Sequence, residues 1–189
     1  MLIRLLLMVL EALAGFLSLA LLARFALQWV RAAYRNPIAH FLVAVTDWAV
    51  RPARRLIPSA WGLDLASLVL AWLVQGVYLG LAHGLSGMVG SLPQAMGLVA
   101  LLALLETLKL AAWLAQGVII IAALISWINP YAPMAPVFLA LSAPLLRPFQ
   151  RLIPLVGGVD LSPMAALLAI QVFLALLSGL FGAMLMPMR

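Results

Sequence analysis

A chain of 189 residues that is 67% apolar and 8% charged, with a formal net charge of +6, lies far outside the range of soluble domains, where about 45–50% of residues are apolar and about 25% charged. It reads as an integral membrane protein. The absence of cysteine excludes disulfides, thiolate metal sites, thiol catalysis and covalent haem attachment.

About 20 consecutive apolar residues cross a bilayer as a helix, and four blocks qualify, near 5–30, 65–81, 97–128 and 164–186. At the N-terminus, Arg4 precedes an apolar run that continues past Glu11 to Trp29, longer than a cleavable signal core, so this segment is expected to be a retained span. Arg24, Gln28, Arg31 and Arg35 follow at helical spacing on one face. Basic side chains there either snorkel toward head groups or, for the deepest, Arg24, turn inward to pair with an acid such as Asp64 or Asp160.

The stretch over 37–65, PIAHFLVAVTDWAVRPARRLIPSAWGLDL, returns at 133–161 as PMAPVFLALSAPLLRPFQRLIPLVGGVDL. A constant, gapless offset of 96 superposes Arg51 on Arg147, Pro52 on Pro148, Arg55 on Arg151, Gly62 on Gly158 and Asp64 on Asp160, with 12 identities in 29 positions. The chain is therefore an internal duplication, with repeats over 1–91 and 92–189. In each copy an apolar face (Ile38, Phe41, Leu42, Val45, Ala49, Pro52 and Leu56; Met134, Val137, Phe138, Leu141, Leu145, Pro148 and Leu152) opposes a polar one bearing Arg51, Arg54 and Arg55, or Arg147, Gln150 and Arg151. This pattern predicts an amphipathic helix lying in the membrane interface. Pro52 and Pro148 should kink or split it, and Pro58 and Pro154 should end it. Asp64 and Asp160 stand where they can cap the next span, after Gly62 and Gly158, which permit the turn; in the second copy Ser162-Pro163 strengthens the start.

Within the spans, Gln75 and Gln171 match at the same offset near mid-membrane, where they can bond each other or backbone. Glu106 and Lys109, at i, i+3, can form a local ion pair. The apolar block 92–128 is long enough for one helix or a tight hairpin; parallel repeats favour one helix, because a fifth span would put the two arginine connections on opposite sides. Fold class is thus all-α, four transmembrane helices in two parallel repeats, each with an in-plane helix between its spans.

Basic residues concentrate in the connections after the first and third spans, whereas the linker at 82–94 has none. The positive-inside rule then places both connections in the cytoplasm and both termini outside. Arginines beside a bilayer meet anionic lipid head groups at about 1 kcal/mol each, so lipid, and not nucleic acid, is the expected partner of Arg51, Arg54, Arg55, Arg147 and Arg151. No phosphate loop, HExxH or nucleophile elbow is present. His40 and His83 are expected at opposite surfaces, so no enzyme chemistry, cofactor or metal is expected.

The paired R-P-x-x-R-L-I-P segments, Arg51–Pro58 and Arg147–Pro154, with the following G-x-D-L, Gln28-Trp29 before Asn36-Pro37, and Ser126-Trp127 before Pro133, resemble the YggT family of small bacterial and plastid membrane proteins. The likeness covers nearly the whole chain; Asp47-Trp48 in place of Ala143-Pro144, and Ala66-Ser67 in place of Ser162-Pro163, are its departures between copies. The resemblance implies a non-enzymatic protein of the bacterial inner membrane, in a family associated with osmotic-stress tolerance, cell or plastid division, and maturation of a membrane cytochrome complex. Two readings follow: an assembly or organising factor docking other membrane proteins, with a second copy of the chain among the candidate partners, or a small ion or solute transporter with Gln75, Gln171, Glu106 and Lys109 along its path.

Overall fold

The computed structural model describes residues 1–31, 36–59, 62–85, 92–153 and 160–185. Arg35, Pro154, Gly158, Arg189 and the middle of the 82–94 linker lie outside them. The regular elements among the described residues are six α-helices: α1 (Leu2–Trp29), α2 (Pro37–Leu56), α3 (Leu65–Leu85), α4 (Leu92–Ile128), α5 (Ala135–Gln150) and α6 (Ser162–Leu185). Four of them, α1, α3, α4 and α6, are long and apolar enough to cross a membrane. Helix α4 is continuous over 37 residues, about 55 Å at ~1.5 Å per residue, so the hairpin alternative for 92–128 does not occur.

The spans pack in the order α1, α3, α4, α6. Gln75 of α3 meets Ser18 of α1 while Asp64, at the start of α3, meets Arg24 further along α1, and Gln171 of α6 meets Gln116 of α4 while Phe181 meets the earlier Lys109, so each pair is antiparallel. Glu11 shares a cavity with Glu106, and Ala26 one with Val118, so α1 runs parallel to α4. Between α3 and α4 small residues let the backbones approach: a Cβ at Gly76 would lie 3.7 Å from that of Ala103, the small-residue packing on which helix association in lipid depends. Apolar side chains left outside the bundle, such as Val77, Val172 and Leu176, are more than half exposed. Hydrocarbon solvates such a surface well and water does not.

Helices α2 and α5 lie at one common end of the bundle. Leu27 of α1, Ala39 and Leu42 of α2 and Val137 of α5 share one core cluster there. Helix α2 begins where the sequence indicates: Pro37 is the first helical residue and the Asn36 side chain accepts the Ala39 amide at 2.8 Å, satisfying one of the free N–H groups of the first turn. Of the two alternatives for the prolines, splitting is excluded: α2 continues through Pro52 to Leu56, and α5 through Pro144 and Pro148 to Gln150. Each proline removes one donor near a C-terminal end, a loss the remaining turns absorb. The stripe α2 buries against the bundle is Ala39, Leu42, Thr46 and Val50, while Phe41, Trp48 and Leu56 are exposed.

Candidate functional site

The common end of the bundle holds a charge cluster built from three helices. Arg24, five residues before the end of α1, is 5% exposed. Its Nη1 donates to Thr46 Oγ1 at 2.9 Å and to Asp47 Oδ1 at 2.8 Å, and its Nε faces Asp64 Oδ2 at 3.4 Å. The snorkelling alternative is therefore overturned: this guanidinium turns inward, because α2 and the start of α3 supply two carboxylates on the same side. Thr46 completes the arrangement by donating to the Leu42 carbonyl at 2.6 Å.

Asp64 is fully buried at the entry to α3. Arg54 grips it with Nε on Oδ1 at 3.2 Å and Nη2 on Oδ2 at 2.7 Å, while the Ser67 hydroxyl and amide donate to it at 2.7 and 3.4 Å. Asp64 thus caps α3 at the i, i+3 position and serves as counter-ion for two arginines. Gly62, with φ of 81°, adopts a conformation costly for other residues, and its carbonyl accepts Gln28 Nε2 at 3.1 Å. Gln28 Oε1 in turn accepts from Arg54 Nη2 at 3.1 Å.

The cluster sets the charge state of its acids. The Arg24 hydrogen bond holds the Asp47 carboxyl below its ordinary value against the cost of desolvation, with Arg51 adding to the effect. Burial pushes the Asp64 carboxyl up, but hydrogen bonds from Arg54 and Ser67 outweigh it and the net displacement is downward. Both acids are ionised at neutral pH, each already neutralised from within.

The second repeat keeps the frame and drops most of the charge. Where Arg54 meets Asp64, Gln150 Nε2 meets Asp160 Oδ2 at 3.0 Å. Asp160 accepts the Ser162 amide at 2.8 Å, two residues on and not three, because the counterpart of Ser67 is Pro163, which has no N–H to donate. Ser142 takes the place of Thr46, and Ala143 that of Asp47.

The five arginines of the repeated stretch do not behave alike. Arg51 pairs with Asp47 at 2.7 Å yet stays 81% exposed. Arg54, expected to face lipid or partner, is instead turned back onto Asp64 and Gln28. Arg55, Arg147 and Arg151 are exposed and form no ion pair among the described residues. Arg31 does not extend the face of Arg24 and Gln28, since α1 ends at Trp29 and Arg31 turns to φ of 52°.

Inside the spans, Gln75 and Gln171 do not bond each other. Gln75 donates to Ser18 Oγ at 3.0 Å and to the Ala14 carbonyl at 3.4 Å, and Gln171 to Gln116 Oε1 at 3.0 Å, so each ties its own repeat together. Glu106 and Lys109 form the i, i+3 pair at 2.8 Å. Gln171 is not among the residues that line the cavity shared by Gln75, Glu106 and Lys109. His40 is exposed, while His83 Nδ1 lies 2.8 Å from the Leu79 carbonyl. Sequence reading passed over Thr46 and Ser18, and named Asp47 and Ser67 only as departures between the copies, without their partners; Asp47, four residues before Arg51, carried a local signal.

A family model described as CCB3/YggT matches residues 3–85 and 101–181. The chain is 37% identical to an uncharacterised protein of Pseudomonas aeruginosa over 93% of its own length and 89% of the relative's. It is 36% identical to the uncharacterised protein YggT of Escherichia coli K12 over 82% and 79%. It is 32% identical to an uncharacterised protein of Vibrio alginolyticus over 87% and 88%. No solved structure matches the chain.

Proposed function

The chain belongs to the CCB3/YggT family, and from its geometry we propose that it is a non-enzymatic organising protein of the bacterial inner membrane. Helices α2 and α5 lie along the cytoplasmic interface, presenting arginines to anionic head groups, while the outer faces of the spans dock other membrane proteins. One observation carries this reading: at the α2/α5 end, Asp47, Asp64 and Asp160 are each engaged by internal donors, whereas Arg55, Arg147 and Arg151 are left exposed. The charge offered outward there is positive in both repeats. Each such arginine near an anionic leaflet contributes about 1 kcal/mol, and exposed Phe41 and Trp48 supply apolar side chains that an interfacial helix sets among the acyl chains.

The experiment replaces Arg51, Arg55, Arg147 and Arg151 together by Gln and leaves the buried cluster intact. Two measurements are made, anionic lipid retained on gentle detergent extraction and in-cell crosslinking to neighbouring membrane proteins. Both should fall well below the parent protein while the fold, monitored by thermal unfolding, is kept. Undiminished lipid retention and an unchanged crosslinking pattern would contradict the proposal.

A further inference from the structure

A second polar region lies toward the opposite end of the bundle, where all four spans enclose a half-open cavity of about 480 Å³. Its walls include Glu11 of α1, Gln75 and Tyr78 of α3, Glu106 and Lys109 of α4, and Phe181 of α6. Ionisable side chains within a span are costly when unpaired, so their pairing indicates what the site can hold. Lys109 and Glu106 neutralise each other at 2.8 Å, and the Lys109 ammonium sits 4.9 Å from the centre of the Phe181 ring. One wall therefore holds a primary ammonium between a carboxylate and an aromatic face, the arrangement by which proteins recognise organic cations.

Across the cavity the same two groups recur without the cation. Glu11 and Tyr78 both line it, and Glu11 has no basic partner among the described residues. The cavity thus carries one carboxylate more than its own ammonium balances. An inorganic ion needs several oxygens converging within bonding distance, and no group of three metal-ligating side chains occurs among the described residues. The volume and the aromatic walls suit a larger, weakly hydrated cation.

We propose that this cavity binds a small organic ammonium ion, with Glu11 as its counter-ion and Tyr78 as its aromatic wall. The site is independent of the arginine-rich end and goes beyond the organising role. Gly15 offers a steric control: it lines the cavity, and a Cβ added there would meet nothing within 4 Å, so Gly15→Leu is expected to place its side chain in the space the ligand would take.

The test titrates tetramethylammonium chloride into the full chain in phosphatidylcholine nanodiscs by calorimetry, at ionic strength held constant with sodium chloride and with empty nanodiscs subtracted. Saturable binding is expected, weakened about tenfold or more by Glu11→Gln, the loss of a charge partner, and abolished by Gly15→Leu. Three results would overturn the proposal: no saturable binding to the parent protein, equal affinity in both variants, or sodium displacing the probe at matched concentration, which would make the site one for an inorganic ion.

Discussion

Asp64 is the residue on which the first repeat converges, since it caps α3 and answers both Arg24 and Arg54. Removing one member of a buried charge set leaves the others uncompensated and costs about 3–5 kcal/mol, so Asp64→Asn should destabilise the protein by that order. Asp160→Asn, which loses hydrogen bonds to exposed Gln150 and to an amide, should cost only about 0.5–1.5 kcal/mol. Equilibrium unfolding in mixed micelles measures both. The same cluster predicts a pH response. Asp47 and Asp64 titrate lower in the folded protein than in the unfolded chain, so their contribution is fully present above the ordinary carboxylate value of about 3.9 and is lost as pH falls through the folded values. The unfolding midpoint should be level from neutrality down to about pH 4 and drop below it, and the drop should shrink in Asp64→Asn. Sequence made Asp64 visible because duplication repeated it, and made Arg24 a candidate for an acid partner. The additional partner, Asp47, stood out only as a departure between the copies, because its counterpart is Ala143; a residue that one repeat alone carries gains no support from the other.

At the level of elements, the spans and the start of α2 were legible and the rotation of α2 was not. The Asn36-Pro37 start is visible as a capping residue before a residue favoured at the first helical position. The Asn36→Ala variant should lose about 0.5–2 kcal/mol, and hydrogen exchange at the Ala39 amide, whose acceptor is removed, should speed up locally. The stripe that α2 turns to the bundle, Ala39, Leu42, Thr46 and Val50, was obscured because periodicity measures where a helix is apolar, not which apolar side meets protein. Hydrocarbon and a protein core attract the same side chains. Exposed Phe41 and Trp48 and buried Thr46 pull the apparent face away from the packed one. The tie between Gln116 and Gln171 was missed because the offset does not carry it over: Gln75 in the first repeat bonds Ser18, whose counterpart is Leu114, while Gln116 corresponds to Ala20.

For the whole molecule, the duplication offset, the four apolar blocks and the even number of spans fix the plan: α2 and α5 emerge at the same end, as the structure finds. The repeats have since diverged in how they hold that end. The first fastens α2 with charges, Arg24 to Asp47 and Arg54 to Asp64, while the second uses Gln150 on Asp160. The central claim is that both arginine-bearing connections face one and the same anionic leaflet, on the cytoplasmic side. Because the chain contains no cysteine, it can be tested with single cysteines and a membrane-impermeant maleimide. Ser59→Cys and Leu152→Cys report the two connections, and Ser86→Cys reports the linker between the repeats. The account predicts that in intact cells with a permeabilised outer membrane only Ser86→Cys is labelled, the other two reacting after the inner membrane is opened. Labelling of Ser59→Cys or Leu152→Cys in intact cells, or protection of Ser86→Cys, would contradict it.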